Sequence, residues 1–145
     1  MTGLVLVAAM ALGVTQAELN VAKNLCNQQR QASFDASFEA LVAWGEISAA
    51  IANDPGSEPG YTASLQWLAD TWQAQNDLAE AAHQQGETKR SHAMINELDP
   101  DFWSLALEEW EDAYLSFVAA TYFHNQNAGL DDQLDWLWEQ YFMSV

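Results

Sequence analysis

The stretch PDFWSLALEEWEDAYLSFVAATYFHN, residues 100–125 of a 145-residue chain, decides the fold class. Asp99 stands before it as an N-cap, Pro100 takes the first helical position and Asp101 follows in the first turn. That is how a helix starts. Phe102, Ala106, Trp110, Ala113 and Phe117 then recur at three- and four-residue spacing, the period of a buried helix face. Leu115, Ala119 and Tyr122 form a second apolar stripe on another side of the same helix.

The segments around it read the same way. Over residues 32–52, Phe34, Phe38, Leu41 and Ala52 share a face flanked by Val42 and Trp44. Asp35, Glu39 and Glu46 fall together on the other side. Over residues 61–85, Leu65, Leu68, Trp72 and Ala79 make one stripe, while Trp67, Ala74, Leu78 and Ala81 make another. From residue 130 onward, Leu134, Leu137, Trp138 and Tyr141 form a short stripe from which Trp136 points away. Residues 18–31 read as a minor helix, and residues 89–98 as a short helix or a loop. Asn53-Asp54-Pro55-Gly56-Ser57-Glu58-Pro59-Gly60 is the clearest break, with further breaks expected at Gly86 and at Asn127-Ala128-Gly129. No stretch alternates as a strand would. The expectation is an all-α, up-down bundle of four main helices with one or two minor ones, over residues 18–145.

An apolar segment precedes the bundle. From Gly3 to Val14 (GLVLVAAMALGV) there is no polar side chain. Such a run spans about 18 Å as a helix, short of the ~30 Å hydrocarbon core of a membrane. Small residues at Thr15 and Ala17 then suit a signal peptidase, which would leave Glu18 as the new N-terminus. Residues 1–17 therefore read as a signal peptide, or as a retained apolar anchor. The compartment expected is periplasmic or secreted, with a membrane-anchored or cytoplasmic protein as the alternatives.

Composition excludes several functions. The chain holds 21 Asp and Glu against 4 Lys and Arg, a net charge of −17. Lys23, Arg30, Lys89 and Arg90 cannot build a basic patch, so direct nucleic-acid binding and adhesion to anionic lipid are excluded. The single cysteine, Cys26, excludes an internal disulfide, a CxxC redox pair and a cysteine-rich zinc site. There is no nucleophile elbow, no glycine-rich phosphate loop and no calcium loop. No enzyme, small-molecule substrate or resident cofactor is predicted.

Three constellations define the alternatives. Glu80 and His83 make an E-x-x-H step, and with His124 and Glu109 they suggest a metal- or haem-binding bundle. Thr121 stands where a second such step would need its glutamate. Carboxylate ridges at Asp35, Glu39 and Glu46, and at Glu108, Glu111 and Asp112, suggest a mimic of DNA phosphates that occupies a DNA-binding protein. The apolar run, if kept, suggests a membrane-anchored, virion or filament subunit.

The preferred expectation comes from the aromatic side chains. The chain has seven Trp, four Tyr and six Phe, and two of its helices carry two apolar faces each. One buried face per helix suffices for a simple monomer. The second faces are expected to meet a protein partner or another copy of the chain, with Trp67, Leu78, Leu115, Tyr122 and Trp136 as the anchors.

Overall fold

The computed structural model describes residues 13–143. Helix α1 covers Gln16–Ala52. It starts at a capping box, Thr15-x-x-Glu18. The Glu18 amide donates to Thr15 Oγ1 at 3.1 Å, and the Thr15 amide donates to Glu18 Oε2 at 3.4 Å. Two of the amides that a helix start leaves without partners are thereby satisfied. This start lies inside the expected leader. The remainder of the apolar run, up to residue 12, falls outside the described residues.

Helix α2 covers Pro59–Asn96 and α3 covers Trp103–Ala128. A 3₁₀ turn, Pro100–Phe102, leads into α3, and Asp99 caps it by accepting from the Asp101 amide. A second 3₁₀ turn, Leu130–Asp132, leads into the short helix α4, Gln133–Trp138, and a π turn, Glu139–Met143, follows. No strand occurs among the described residues, so the protein is all-α.

Three long helices replace the four main helices expected. Residues 18–31 do not form a minor helix of their own, because nothing between Asn27 and Ala36 interrupts the backbone ladder. Gly86 does not break α2 either. It is buried, and a Cβ there would lie 2.7 Å from Phe117 Cε1. Its lack of a side chain makes room for that ring. The break at residues 53–58 does hold. Gly56 adopts φ +75°, and Asp54 accepts from both the Gly56 amide and the Thr62 hydroxyl.

The chain divides into two compact units. The first takes residues 13–31 together with Ala82–Ala119. Within it, Lys23 meets Glu97, Asn27 meets Arg90 and Arg30 meets Glu87. Numbers on α1 rise as those on α2 fall, which makes these segments antiparallel. The core gathers Leu19, Ala22 and Cys26 of α1, Ala93 of α2, and Ala106, Trp110, Ala113 and Phe117 of α3.

The second unit takes Ala32–Ala81 and residues 120–143. Its core gathers Ala40 and Ile47 of α1, Tyr61, Leu65, Leu68, Ala69 and Trp72 of α2, and Leu130 and Leu137. The Trp72 indole donates to the Ala40 carbonyl at 2.8 Å, and the Asn127 amide nitrogen donates to the Trp72 carbonyl at 2.9 Å. Tyr61 sits edge-on to Trp138, Tyr141 and Phe142, which fastens the C-terminal turn to the start of α2.

The stripes expected on α2 and α3 are the buried ones, apart from Phe102. That residue belongs to the 3₁₀ turn and is half exposed. On α1 the expectation fails. Ser33, Ala36, Ala40, Ala43 and Ile47 face inward, while Phe38, Leu41 and Val42 are exposed and Phe34 is only partly covered. The larger rings do not take the core side because α2 supplies the bulk there through Trp72, Leu65 and Leu68, and alanine on α1 makes room for it.

Two of the helical glycines, Gly45 and Gly86, should respond to alanine in opposite ways. Gly86→Ala forces a methyl into the Phe117 ring and should cost about 1–3 kcal/mol in urea unfolding. Gly45→Ala meets nothing within 4 Å and should gain about 0.5–1 kcal/mol from helix propensity.

Candidate functional site

An apolar groove of about 510 Å³ lies in the first unit. Ala17, Val21, Ala22 and Leu25 of α1 line one side, and Leu107 and Tyr114 of α3 line the other. The exposed carboxylates Glu18 and Glu111 complete the lining. Val21 and Leu25 are 61% and 47% exposed. They sit one helical turn apart, so α1 turns this row toward α3 without covering it. Its volume falls within the range of ligand and peptide clefts. The row Ala17, Val21, Leu25 is visible in the sequence as a four-residue repeat. The repeat is faint because Ala17 also fits a cleavage site and residues 18–31 are only weakly amphipathic.

The five anchors expected from the sequence are all exposed. Trp67, Leu78, Leu115, Tyr122 and Trp136 show 52–62% of their surface. Trp67 and Leu78 lie three turns apart on one side of α2. Leu115 belongs to the first unit, one turn beyond the groove residue Glu111, and the other four belong to the second. The five therefore do not form one patch within either unit.

The polar groups are committed to structure. Lys23 bridges to Glu97 at 2.8 Å and sits 5.6 Å above the Trp110 ring, and Trp110 donates its indole N–H to Glu97. Glu109 is not a solvated acid. It is buried, accepts from the Asn96 side chain at 2.5 Å and lies 3.6 Å from the His92 ring. His83 packs edge-on to Phe117 and lies 3.7 Å from Glu87. His124 is buried in the second unit. Of the suggested ligands, Glu80 and His124 belong to the second unit and His83 and Glu109 to the first. Among the described residues no three His, Cys, Asp or Glu side chains are placed to hold a metal ion.

Cys26, Glu46, Glu87 and Tyr61 are displaced from their ordinary range, Tyr61 upward by burial and then by the charge of Asp54. Burial pushes the Cys26 thiol up to about 11, against a smaller opposing pull from Arg90. The thiol is fully buried, and burial favours its protonated form at neutral pH. Burial also raises the Glu87 carboxyl, but the hydrogen bond and charge of Arg30, helped by His83 and Arg90, bring it below the usual value. The Glu46 carboxyl is raised, first by its hydrogen bond with Asp131, then by the charges of Asp131, Asp132 and Asp135.

No family model, characterised protein or solved structure matches the chain. No described helix is long and apolar enough to cross a membrane.

The crowding of carboxylates at Glu46 has a pH signature. A carboxyl whose folded value is raised contributes stability that is full below its unfolded value and is lost as pH rises through the folded one. Glu46→Gln keeps a donor for Asp131 and removes one charge. It should raise the melting temperature at neutral pH, and the gain should disappear at pH values where Glu46 is already protonated. Thermal unfolding across the acid range, at low and high salt, checks this.

Proposed function

We propose that this protein is non-enzymatic and acts by binding protein, through apolar surface left open on its helices. The observation that carries the reading is the amount of large apolar side chain in water. Trp67, Leu78, Leu115, Tyr122 and Trp136 are each more than half exposed, and an open groove lies between α1 and α3 of the first unit. Aromatic side chains held in water on rigid helices are the usual anchors of interfaces. The polar groups that could have served catalysis are occupied by each other. Lys23 holds Glu97, Arg30 holds Glu87, and Asn96 holds Glu109.

Export belongs to the same proposal, and the apolar run from Gly3 to Val14 with small residues at Thr15 and Ala17 supports it. The Thr15–Glu18 capping box weighs the other way, since cleavage after Ala17 would remove the cap, one wall residue of the groove and Val14 from the first core.

Immobilised full-length chain should retain a partner, another protein or its own kind, from an extract of the source cells. Trp67→Ala and Trp136→Ala should reduce retention severalfold while shifting the melting temperature by little, because both rings are more than half in water. Retention unchanged in both variants, or no retained protein at all, overturns the reading.

A further inference from the structure

One strip of α1 repeats with the spacing of a helix–helix seam. Phe34, Phe38, Leu41, Gly45, Ser48 and Ala52 follow at intervals of four, three, four, three and four residues. The strip lies on the side of α1 away from the alanine row Ala36, Ala40 and Ala43, and wholly within the second unit. Phe38 is 68% exposed, Leu41 55% and the adjoining Val42 61%. At Gly45 a Cβ would meet nothing within 4 Å. The strip carries no ionisable side chain, in a chain whose net charge is −17.

The order of sizes along the strip identifies what covers it. The bulky residues come first and the small ones last. Turned end for end about residue 43, the strip meets itself with Phe34 opposite Ala52, Phe38 opposite Ser48 and Leu41 opposite Gly45. Every large side chain then faces a small one. A parallel pairing would set Phe38 on Phe38 and Gly45 on Gly45, overfilling one end and leaving a void at the other.

We propose that α1 pairs antiparallel with α1 of a second copy, about a two-fold axis at residue 43. The contact is isologous, so each residue and its opposite number occur twice. Leu41 enters the gap at Gly45 of the other copy, where the two backbones approach most closely. The neutral strip lets two acidic molecules touch without setting carboxylate against carboxylate, while Asp35, Glu39 and Glu46 stand to the side. Phe38 alone exposes about two-thirds of a ring residue whose full burial covers roughly 150–250 Å². With Leu41, Val42 and the small residues, the two copies together hide on the order of 1,000 Å², where specific interfaces begin. The dimer is accordingly reversible and concentration-dependent.

This inference rests on the interface reading and names one partner for it. Sedimentation equilibrium of the full chain over a wide concentration range should show monomer and dimer, with the dimer favoured by added salt as the flanking carboxylates are screened. Gly45→Leu should weaken dimerisation about tenfold or more without lowering the melting temperature. Leu41→Ala combined with Gly45→Leu exchanges the large and small positions and should restore it. A monomer at every concentration overturns the self-pairing and leaves the interface reading to be decided by retention of a different protein. A dimer that Gly45→Leu leaves intact and Trp67→Ala breaks overturns this face alone. A dimer lost in Gly45→Leu and not recovered in the double variant overturns the antiparallel register.

Discussion

α1 presents alanine to its neighbours, and alanine sets how closely they come. In the second unit Ala36, Ala40 and Ala43 are buried, and the Trp72 indole reaches over them to the Ala40 carbonyl. In the first unit Ala22 and Cys26 take the corresponding part beside Trp110 and Phe117 of α3. Small side chains on one helix allow large ones on another to be enclosed completely, as Trp110 and Phe117 are. The cost falls on the other side of α1, where Phe38, Leu41 and Val42 find no room inside. Exposed apolar surface on this protein is thus a consequence of where the small residues lie, and the proposed binding rests on it.

Electrostatics works against the proposed association and limits the faces that could serve it. Three of the four basic side chains are engaged within the first unit, Lys23 by Glu97, Arg30 by Glu87 and Arg90 by Asn27. Few cations are left to offset the carboxylates of the surface, and like molecules repel at long range. The proposed contact between copies would favour faces without charge. The strip along Phe38, Leu41 and Gly45 is such a face, while the groove beside Glu18 and Glu111 offers carboxylates to an approaching partner. The raised Glu46 carboxyl shows the same excess locally, with Asp131, Asp132 and Asp135 crowding one acid.

Much of this was legible in the residues. The α2 stripe of Leu65, Leu68, Trp72 and Ala79 and the α3 stripe of Ala106, Trp110, Ala113 and Phe117 are the buried faces, because there bulk and period agree. The exposure of Trp67, Leu78, Leu115, Tyr122 and Trp136 follows from the same period. On α1 they disagree. Phe34, Phe38 and Leu41 make the more hydrophobic row, and the alanine row at Ala36, Ala40 and Ala43 is the one the neighbours need. Periodicity names a face, and only the sizes on the facing helices decide which face is covered. Gly86 differs for a related reason: its position suggests a break, and the Phe117 ring beside it is what requires a glycine there. The start of α1 was written in Thr15-x-x-Glu18, in residues that also fit a cleavage site. Nor does any local pattern bring Asn96 to Glu109 or Lys23 to Glu97, since those pairings depend on how separate helices align.

The most direct test of the inverted α1 face compares two substitutions by urea unfolding. Ala40→Leu puts bulk where Trp72 and Ile47 already fill the space and should cost about 1–3 kcal/mol. Phe38→Ser removes a ring that is mostly in water and should change stability by no more than about 0.5 kcal/mol. If Phe38→Ser proves the more destabilising and Ala40→Leu is tolerated, α1 faces its neighbours with its rings, and the surface described here does not exist.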